Sequence, residues 1–308
     1  MKQLHGYVLT DEVLRKWRER LVPGYDILFF QNQPDFLACR VFTPHTSQTF
    51  SLDDKTSFAT WGVSKEANYY TIINNDDFLK LAKHQKKQII KEQWELGRGL
   101  VFSEEEMASL LKTRNENTFQ IFEESSYVDD DKNVKVYMIQ RFLLRLLPLE
   151  IQTHFLLNYA SLWSDDRAVY AGLYEVHRHR LQIEYDFLAP FLDTFSTKNG
   201  PNCLAATAAG FSRDPNIIEE WMHPDRFFNL LEQHQYFQHH CDHLKDRDVL
   251  VWKNEQEQAV HAAFLLNSRY CFNKHGQTMF NPWQVLPVEQ VMKSWNQDGY
   301  RMDIYRNI

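Results

Sequence analysis

A cysteine, a histidine and an asparagine occur in the C-terminal third of the chain in an order that could support nucleophilic catalysis. Cys203 follows the turn-forming pair Gly200 and Pro201 and opens the run CLAATAAG. Asn202 is a suitable N-cap, so the Cys203 sulfur is expected in the first turn of a helix. There the helix dipole and free backbone N–H groups favour the nucleophilic thiolate, and the same N–H groups could hold an oxyanion. Cys203 is therefore a candidate nucleophile.

A thiol nucleophile needs a base and a third group that orients the base, and two later segments supply them. His261 interrupts the small, apolar stretch QAVHAAFLL, and Asn281 ends the stretch QTMFN directly before Pro282 and Trp283. Two hairpins would bring these strands together. The resulting hypothesis is that His261 faces Cys203 as the base, that Asn281 orients the imidazole, and that Trp283 shields their hydrogen bond from water.

The elements that must position these residues are a helix followed by an antiparallel sheet. After the helix at Cys203, a second helix is predicted over residues 224–235, and β-like runs separated by turn signals follow. These runs are DVLVW, AVHAAFLL, RYCFN, QTMFN and RMDIY.

The N-terminal half has a different, mixed α/β pattern. Helices are predicted over residues 10–21 and 75–97, and a capping box at Ser103 and Glu106 opens another. YDILFF and FLACRVF are typical of strands, residues 165–186 are predicted to be helical, and the apolar stretch VYMIQRFLLRLLPLEIQ is predicted to form a helix or a helix pair. We therefore expect an α+β protein with two domains, over residues 1–155 and 156–308.

The order of helix-borne Cys203, strand-borne His261 and strand-end Asn281 before a tryptophan resembles that of papain-like thiol hydrolases. The segment DRDVLVWKNEQEQAVHAAFLL is similar to the NlpC-type bacterial branch, in which a Gly-Asp pair, an apolar strand and a histidine strand follow one another. The resemblance covers roughly residues 160–308. It implies a papain-like domain over residues 156–308, a cysteine peptidase or amidase with a peptide or related amide as substrate, and no metal or organic cofactor.

The sequence departs from the family's pattern at two positions. Arg247 stands where the NlpC-type branch has the glycine before the aspartate, and Thr197 stands where papain has a glutamine before the nucleophile. The side-chain half of the oxyanion hole is therefore unassigned, and Asn199 and Asn202 are the nearby candidates. Asn281 would take a position that relatives fill with His, Asp or Gln, which the role of orienting a ring tolerates.

Composition restricts the classes of partner and compartment. The formal charge of -7 and the absence of a basic stripe with interleaved aromatic residues indicate a protein that does not bind nucleic acid. The charged N-terminus lacks the apolar core of a secretory signal, and no run reaches ~18 uncharged apolar residues, so no membrane association is expected. Four cysteines without a C-x-x-C pair indicate free thiols in a reducing compartment. These features predict a cytoplasmic protein.

Other hypotheses remain open from the sequence. The fold could serve binding without catalysis, with residues 1–155 as a cap or a module for a protein partner, which predicts an unreactive Cys203 and an occluded cleft. Acyl transfer could replace hydrolysis. A metal-binding regulator could use a cluster whose spacing matches no metal motif: His234, His239, His240, Cys241 and His243.

Overall fold

The computed structural model describes residues 2–43, 50–164, 167–240 and 243–307. The chain divides into two compact units, one of residues 15–160 and one of residues 1–14 together with 161–308. The predicted boundary after residue 155 lies close to the observed one, but the first residues belong with the C-terminal unit. Tyr7 is fully buried there, its ring lies 5.5 Å from that of Phe195, and its hydroxyl accepts a hydrogen bond from Gln284 Nε2 at 2.5 Å.

The fold is α+β, and every strand pair formed by the described residues is antiparallel. The strands are β1 (Lys2–Leu4), β2 (Tyr7–Leu9), β3 (Tyr25–Phe30), β4 (Val41–Phe42), β5 (Tyr69–Asn74), β6 (Val101–Ser103), β7 (Ser126–Asp129), β8 (Val134–Met138), β9 (Tyr236–Gln238), β10 (Val249–Lys253), β11 (Ala259–Leu265), β12 (Tyr270–Asn273), β13 (Gln284–Pro287) and β14 (Arg301–Asn307). The helices are α1 (Asp11–Arg20), α2 (Leu52–Lys55), α3 (Asn75–Lys80), α4 (Lys83–Glu95), α5 (Glu104–Leu111), α6 (Glu116–Gln120), α7 (Arg141–Leu144), α8 (Leu149–Ser161), α9 (Glu175–Glu184), α10 (Cys203–Ser212), α11 (Pro224–Gln233) and α12 (Val288–Trp295).

The unit of residues 15–160 contains two three-stranded sheets, ordered β3-β5-β4 and β6-β8-β7. Helix α4 packs Ile89 and Ile90 into a core with residues of both sheets, among them Leu28 and Val136. The hydrophobic effect therefore joins these two small sheets through one amphipathic helix.

Local signals predicted some elements of this unit correctly and misplaced others. The capping box is confirmed, because Ser103 Oγ accepts from the Glu106 N–H and Glu106 Oε2 accepts from the Ser103 N–H. The single helix predicted over residues 75–97 is wrong. Leu81 and Ala82 are extended, and Ala82 N–H donates to Gln85 Oε1 to start a second helix.

Two apolar stretches also differ from their predictions. In FLACRVF only Val41 and Phe42 pair as a strand, with β5. The stretch VYMIQRFLLRLLPLEIQ begins as β8 and continues as two helices on either side of Pro148. Apolar content alone does not distinguish a buried strand from a buried helix, which explains the second error.

The C-terminal unit is built on a six-stranded sheet in the order β13-β12-β11-β10-β14-β9. Because side chains alternate along a strand, Val251, Ala262 and Phe264 pack with α10 on one face, which we call the α10 face. Trp252 and Ala263 pack with α12 on the other, the α12 face. The predicted helix followed by an antiparallel sheet is confirmed, whereas the helix predicted over residues 165–186 is limited to α9, and residues 165 and 166 lie outside the described ranges.

Helix α10 lies close to the sheet because its sequence is small. Its alanines are fully buried, and Gly210 is in contact with Phe264 of β11. A Cβ at Gly210 would lie 2.5 to 2.9 Å from three Phe264 side-chain atoms, closer than van der Waals packing allows. The absence of a side chain at this position lets the helix reach the strand that carries His261.

Candidate functional site

Cys203 is the first residue of α10, as the sequence predicts. Asn202 caps the helix, since its Oδ1 accepts from the Ala205 N–H at 3.0 Å while its Nδ2 donates to the Met222 carbonyl at 2.8 Å. The residue is partly exposed, but burial of the sulfur raises the pKa of the Cys203 thiol. The helix terminus thus holds a thiol that is neutral at pH 7 in the absence of substrate.

Several groups around the Cys203 sulfur lower the pKa of its thiol and so oppose the effect of burial. The backbone N–H groups of Ala262 and Leu204, together with its own N–H, lower the thiol pKa by hydrogen bonding, and the Lys274 amino group lowers it by charge. The interaction with Ala262 is informative about position, because that N–H belongs to the peptide bond directly after His261. The thiol therefore lies near the backbone of β11 on the α10 face, whereas the side chain of the preceding residue, His261, points to the other face of the sheet.

The His261 imidazole is fully buried and packs among aromatic rings on the α12 face. It stacks on Trp295 with ring centroids 4.1 Å apart and planes 4° from parallel, and His275 lies 5.7 Å away. Neither ring nitrogen has a hydrogen-bond partner among the residues that the structure describes. The structure thus contains no hydrogen bond between His261 and either Cys203 or Asn281.

Burial holds the pKa of His261 well below its usual value. The charge of a nearby His275 lowers this pKa further, whereas the side-chain amide of Asn273 raises it. The imidazole is therefore neutral at pH 7 and retains a lone pair that can accept a proton.

Asn281 occupies a different position from the predicted one. Its stretch QTMFN forms a turn, and its Oδ1 accepts from the backbone N–H of Thr278 at 3.1 Å and from the Thr278 hydroxyl at 2.7 Å. Its Nδ2 donates to the Trp163 carbonyl at 3.3 Å. The Asn281 side chain therefore braces a loop and does not orient His261. The role predicted for it is not supported by these contacts.

Asn273 is the amide that acts on the His261 ring, and the sequence interpretation missed it. It ends β12 on the same face as Cys271, is fully buried, and has neither amide atom hydrogen-bonded within the described part of the chain. Strand alternation gives a usable signal, because RYCFN places a polar residue where the α12 face requires an inward side chain. Choosing the asparagine before Pro282 overlooked that alternation.

Trp283 and Asn199 also serve other contacts than those predicted. Trp283 packs on the α10 face, with its ring 5.3 Å from that of Phe191, and the indole beside His261 is Trp295. Asn199 Oδ1 accepts from the Met279 N–H at 2.8 Å. Asn202 uses one amide atom at the helix cap and the other to bond the Met222 carbonyl, so neither Asn199 nor Asn202 is placed as the predicted oxyanion donor.

Lys274 is a second residue that the sequence interpretation missed. It is fully buried, and its Nζ donates to the carbonyls of Thr278 at 2.9 Å and Asn281 at 2.5 Å. Burial lowers the pKa of Lys274 to about 7, although the charges of Glu219 and Cys203 act in the opposite direction. No sequence signal identifies such a lysine, because lysines in loops are mostly exposed.

The metal hypothesis gains no support from the described residues. His239 and His240 are exposed, and Cys241 lies outside the described ranges. Within those ranges, no group of three or more His, Cys, Asp or Glu side chains could hold a metal ion. Over the same ranges, no helix has the length and apolar character needed to cross a membrane.

Comparisons with known proteins do not assign a family. No protein-family model matches the sequence, and no curated protein or solved structure matches the chain. A function must therefore be inferred from the residues of the C-terminal unit and their contacts.

Proposed function

We propose that the C-terminal unit is a papain-like, cysteine-dependent hydrolase that cleaves a peptide or related amide bond. Cys203 is the nucleophile, His261 is the base, and Asn273 takes the orienting role that the sequence assigned to Asn281. The observation that carries the proposal is the position of Cys203 as the first residue of α10, and the effect of the Ala262 N–H on its sulfur supports an approach of the thiol to the β11 backbone.

The neutral imidazole of His261 retains a lone pair for the role of base, and its lowered pKa makes it a weak base until substrate binds. Its nitrogens are unbonded in the described structure, and Asn273 lies where it can orient the ring. His261 projects from the α12 face and Cys203 lies on the α10 face, so rotation about the side-chain bonds alone does not carry the imidazole to the thiol. The proposal therefore requires β11 to twist at His261 when substrate binds, and the catalytic hydrogen bond forms only in that rearranged site.

The reaction that follows is acyl transfer through a thioester. His261 accepts the thiol proton, the thiolate attacks the amide carbon, and backbone N–H groups at the start of α10 stabilise the oxyanion. The C–N bond then breaks as His261 returns the proton to the leaving amine. Water, activated by His261, attacks the thioester and releases the acid and the thiol. An amine in place of water would give transfer instead of hydrolysis.

A second candidate is a papain-like binding protein without catalysis. It is favoured by two observations, the raised pKa of Cys203 and the unformed thiol–imidazole bond. On this hypothesis the unit of residues 15–160 contacts a protein partner, and Cys203 has the reactivity of an ordinary buried thiol.

Labelling by iodoacetamide and by a dipeptidyl vinyl sulfone between pH 5 and 9, mapped to each cysteine by peptide mass, separates the two candidates. If the enzyme proposal is correct, the peptide-like vinyl sulfone labels Cys203 at pH 7, whereas iodoacetamide labels it only at higher pH because burial raises the pKa of the thiol in the free protein. His261→Ala and Asn273→Ala abolish the vinyl sulfone labelling at pH 7, whereas Asn281→Ala retains it if the protein is folded. Cys271, fully buried with a pKa raised to about 12, is an internal reference that stays unlabelled. Labelling of Cys203 by both reagents only at the higher pH, unchanged by His261→Ala, would favour the binding protein.

A further inference from the structure

A cleft of about 490 Å³ lies at the C-terminal end of α10, whereas Cys203 lies at the start of that helix. Much of its lining is formed by buried aromatic rings: Tyr185, Phe211, Tyr236 and Phe264. A cleft of this volume accepts a small organic ligand, and aromatic faces favour a ligand with a flat ring. None of the described residues that line it belongs to the proposed catalytic site.

The charged side chains of this cleft carry an excess of positive charge. Four cations and two carboxylates line it: Arg213, Lys245, Arg247, Arg306, Asp246 and Asp248. This excess of two positive charges contrasts with the formal charge of -7 of the whole chain. The buried Asp248 is already neutralised, because Arg306 donates to both of its carboxylate oxygens at 2.7 Å. Neither Lys245 nor Arg247 forms an ion pair within the described ranges, so both can pair with an anionic ligand.

Two of the arginines that line the cleft have a strained backbone. Arg213 has a φ of 59° and Arg247 a φ of 70°, in the left-handed region that favours glycine. Non-glycine residues held in this region cluster at functional sites such as ligand clamps, where the side chain has a use that glycine could not supply. Two strained arginines beside one cleft therefore point to a ligand that their guanidinium groups bind.

The charge of Arg247 lies close to the aromatic part of the lining. Burial raises the pKa of the Tyr185 and Tyr236 hydroxyls, and the Arg247 guanidinium acts in the opposite direction on both. A ligand whose ring packs on these side chains would therefore place an attached anionic group beside Arg247.

We infer that this cleft binds a phosphate monoester that carries a flat ring, the chemistry of a nucleoside monophosphate, with the ring against the aromatic side chains and the phosphate bound by Lys245 and Arg247. A phosphate monoester carries roughly two negative charges at pH 7, which matches the excess of two positive charges in the lining. Arginine binds phosphate through paired N–H groups, and lysine binds it as a point charge. The inference goes beyond the hydrolase proposal and does not depend on it.

The test measures the binding of AMP, GMP, CMP and UMP to the full chain by isothermal titration calorimetry. The matching nucleosides supply the ring without the charge, and glycerol phosphate supplies the charge without the ring. We expect at least one nucleotide to bind ~10-fold or more tightly than its nucleoside and than glycerol phosphate, because ring stacking and charge-assisted hydrogen bonds each contribute about that factor. Glycerol phosphate or a nucleoside binding as tightly as every nucleotide would overturn the inference, as would no binding of any nucleotide.

Arg247→Gly separates binding from folding. Glycine suits a φ of 70°, so the midpoint of urea denaturation should not fall, whereas the affinity for the nucleotide should fall ~10-fold. Lys112→Gly is the matched control, because Lys112 is an exposed cation with a φ of 53° that does not line the cleft, and this variant should keep the affinity. Lys245→Met, at an exposed position, should also weaken binding ~10-fold and decides the test if Arg247→Gly does not fold. Unchanged affinity in the folded cleft variants, or an equal loss in Lys112→Gly, would overturn the assignment of the phosphate to this cleft.

Discussion

At the scale of single residues, the proposed site consists of groups whose neutral forms are favoured by burial. The Cys203 thiol has a raised pKa, and His261 and Lys274 have lowered pKa values. Each can therefore stay uncharged until a substrate or a proton transfer changes its surroundings. In the free protein the raised thiol pKa and the lowered imidazole pKa oppose proton transfer from Cys203 to His261, so substrate must change both surroundings before the thiolate forms.

Lys274 gives a prediction about stability and pH. Its pKa is about 7 in the folded chain and about 10.5 when unfolded, so between these values the unfolded chain binds more protons. The free energy of unfolding should therefore rise as the pH increases from about 7 towards 10. Lys274→Met should remove this rise, which urea titrations at several pH values would measure.

The control for this prediction is Lys293→Met, which removes an exposed lysine of α12 and should keep the rise. An unchanged pH dependence in Lys274→Met would show that the buried amine is not its source. The same variant should also slow Cys203 labelling below about pH 7, where the Lys274 amine is charged and lowers the thiol pKa, and should leave labelling at higher pH nearly unchanged. A purely structural lysine would not move that second measurement.

At the scale of elements, the packing of α10 against β11 positions the thiol, and Gly210 sets their separation. Gly210→Ala would place a methyl group within 3 Å of the Phe264 ring, whose own position is fixed in a fully packed core. We expect a loss of about 1–3 kcal/mol in the free energy of unfolding, measured by urea denaturation.

A matched glycine tests whether the cost at Gly210 comes from packing. A Cβ at Gly172 would meet no atom within 4 Å, and its backbone does not require a positive φ. Gly172→Ala should therefore leave stability nearly unchanged. If both variants lost the same amount, the close approach of α10 and β11 would not be the cause.

The elements also show how far the sequence could predict the fold. Helix starts were predictable where the signal is local, as at Asn202 and Ser103, whose side chains bond to N–H groups three residues on. The interruption at Leu81, between α3 and α4, could not be predicted, because the helical spacing of apolar residues continues across it. Local patterns identify helix caps and strand alternation. They do not show where a helix is interrupted, because an interruption depends on tertiary packing.

The candidate site was predictable in part for the same reason. The position of Cys203 at a helix start and of His261 on a strand follow from local patterns. Asn273, Lys274 and Trp295 act through strand pairing and burial, which join residues far apart in sequence. Their roles depend on tertiary contacts that no short motif records.

At the scale of the whole molecule, each of the two units contains its own hydrophobic core. The unit of residues 15–160 also contains a buried ion pair, in which Arg98 Nη2 lies 3.0 Å from Asp26 Oδ1 with both side chains at most 3% exposed. Gln140 donates to the other carboxylate oxygen at 2.6 Å. Separate cores of this kind favour separate cooperative transitions.

Calorimetry of two variants tests this expectation. Arg98→Met leaves the Asp26 carboxylate buried without its cation, which should cost about 3–5 kcal/mol and lower the transition of the unit of residues 15–160. Gly210→Ala should lower the other transition, and the effects should add in the double variant because the two sites share no element. Arg15→Met, which breaks an exposed ion pair with Glu19, should shift neither by more than about 1 kcal/mol. A single transition that both Arg98→Met and Gly210→Ala move together would instead mean that the two cores unfold as one cooperative system, and that stability lost in the unit of residues 15–160 is also lost at Cys203.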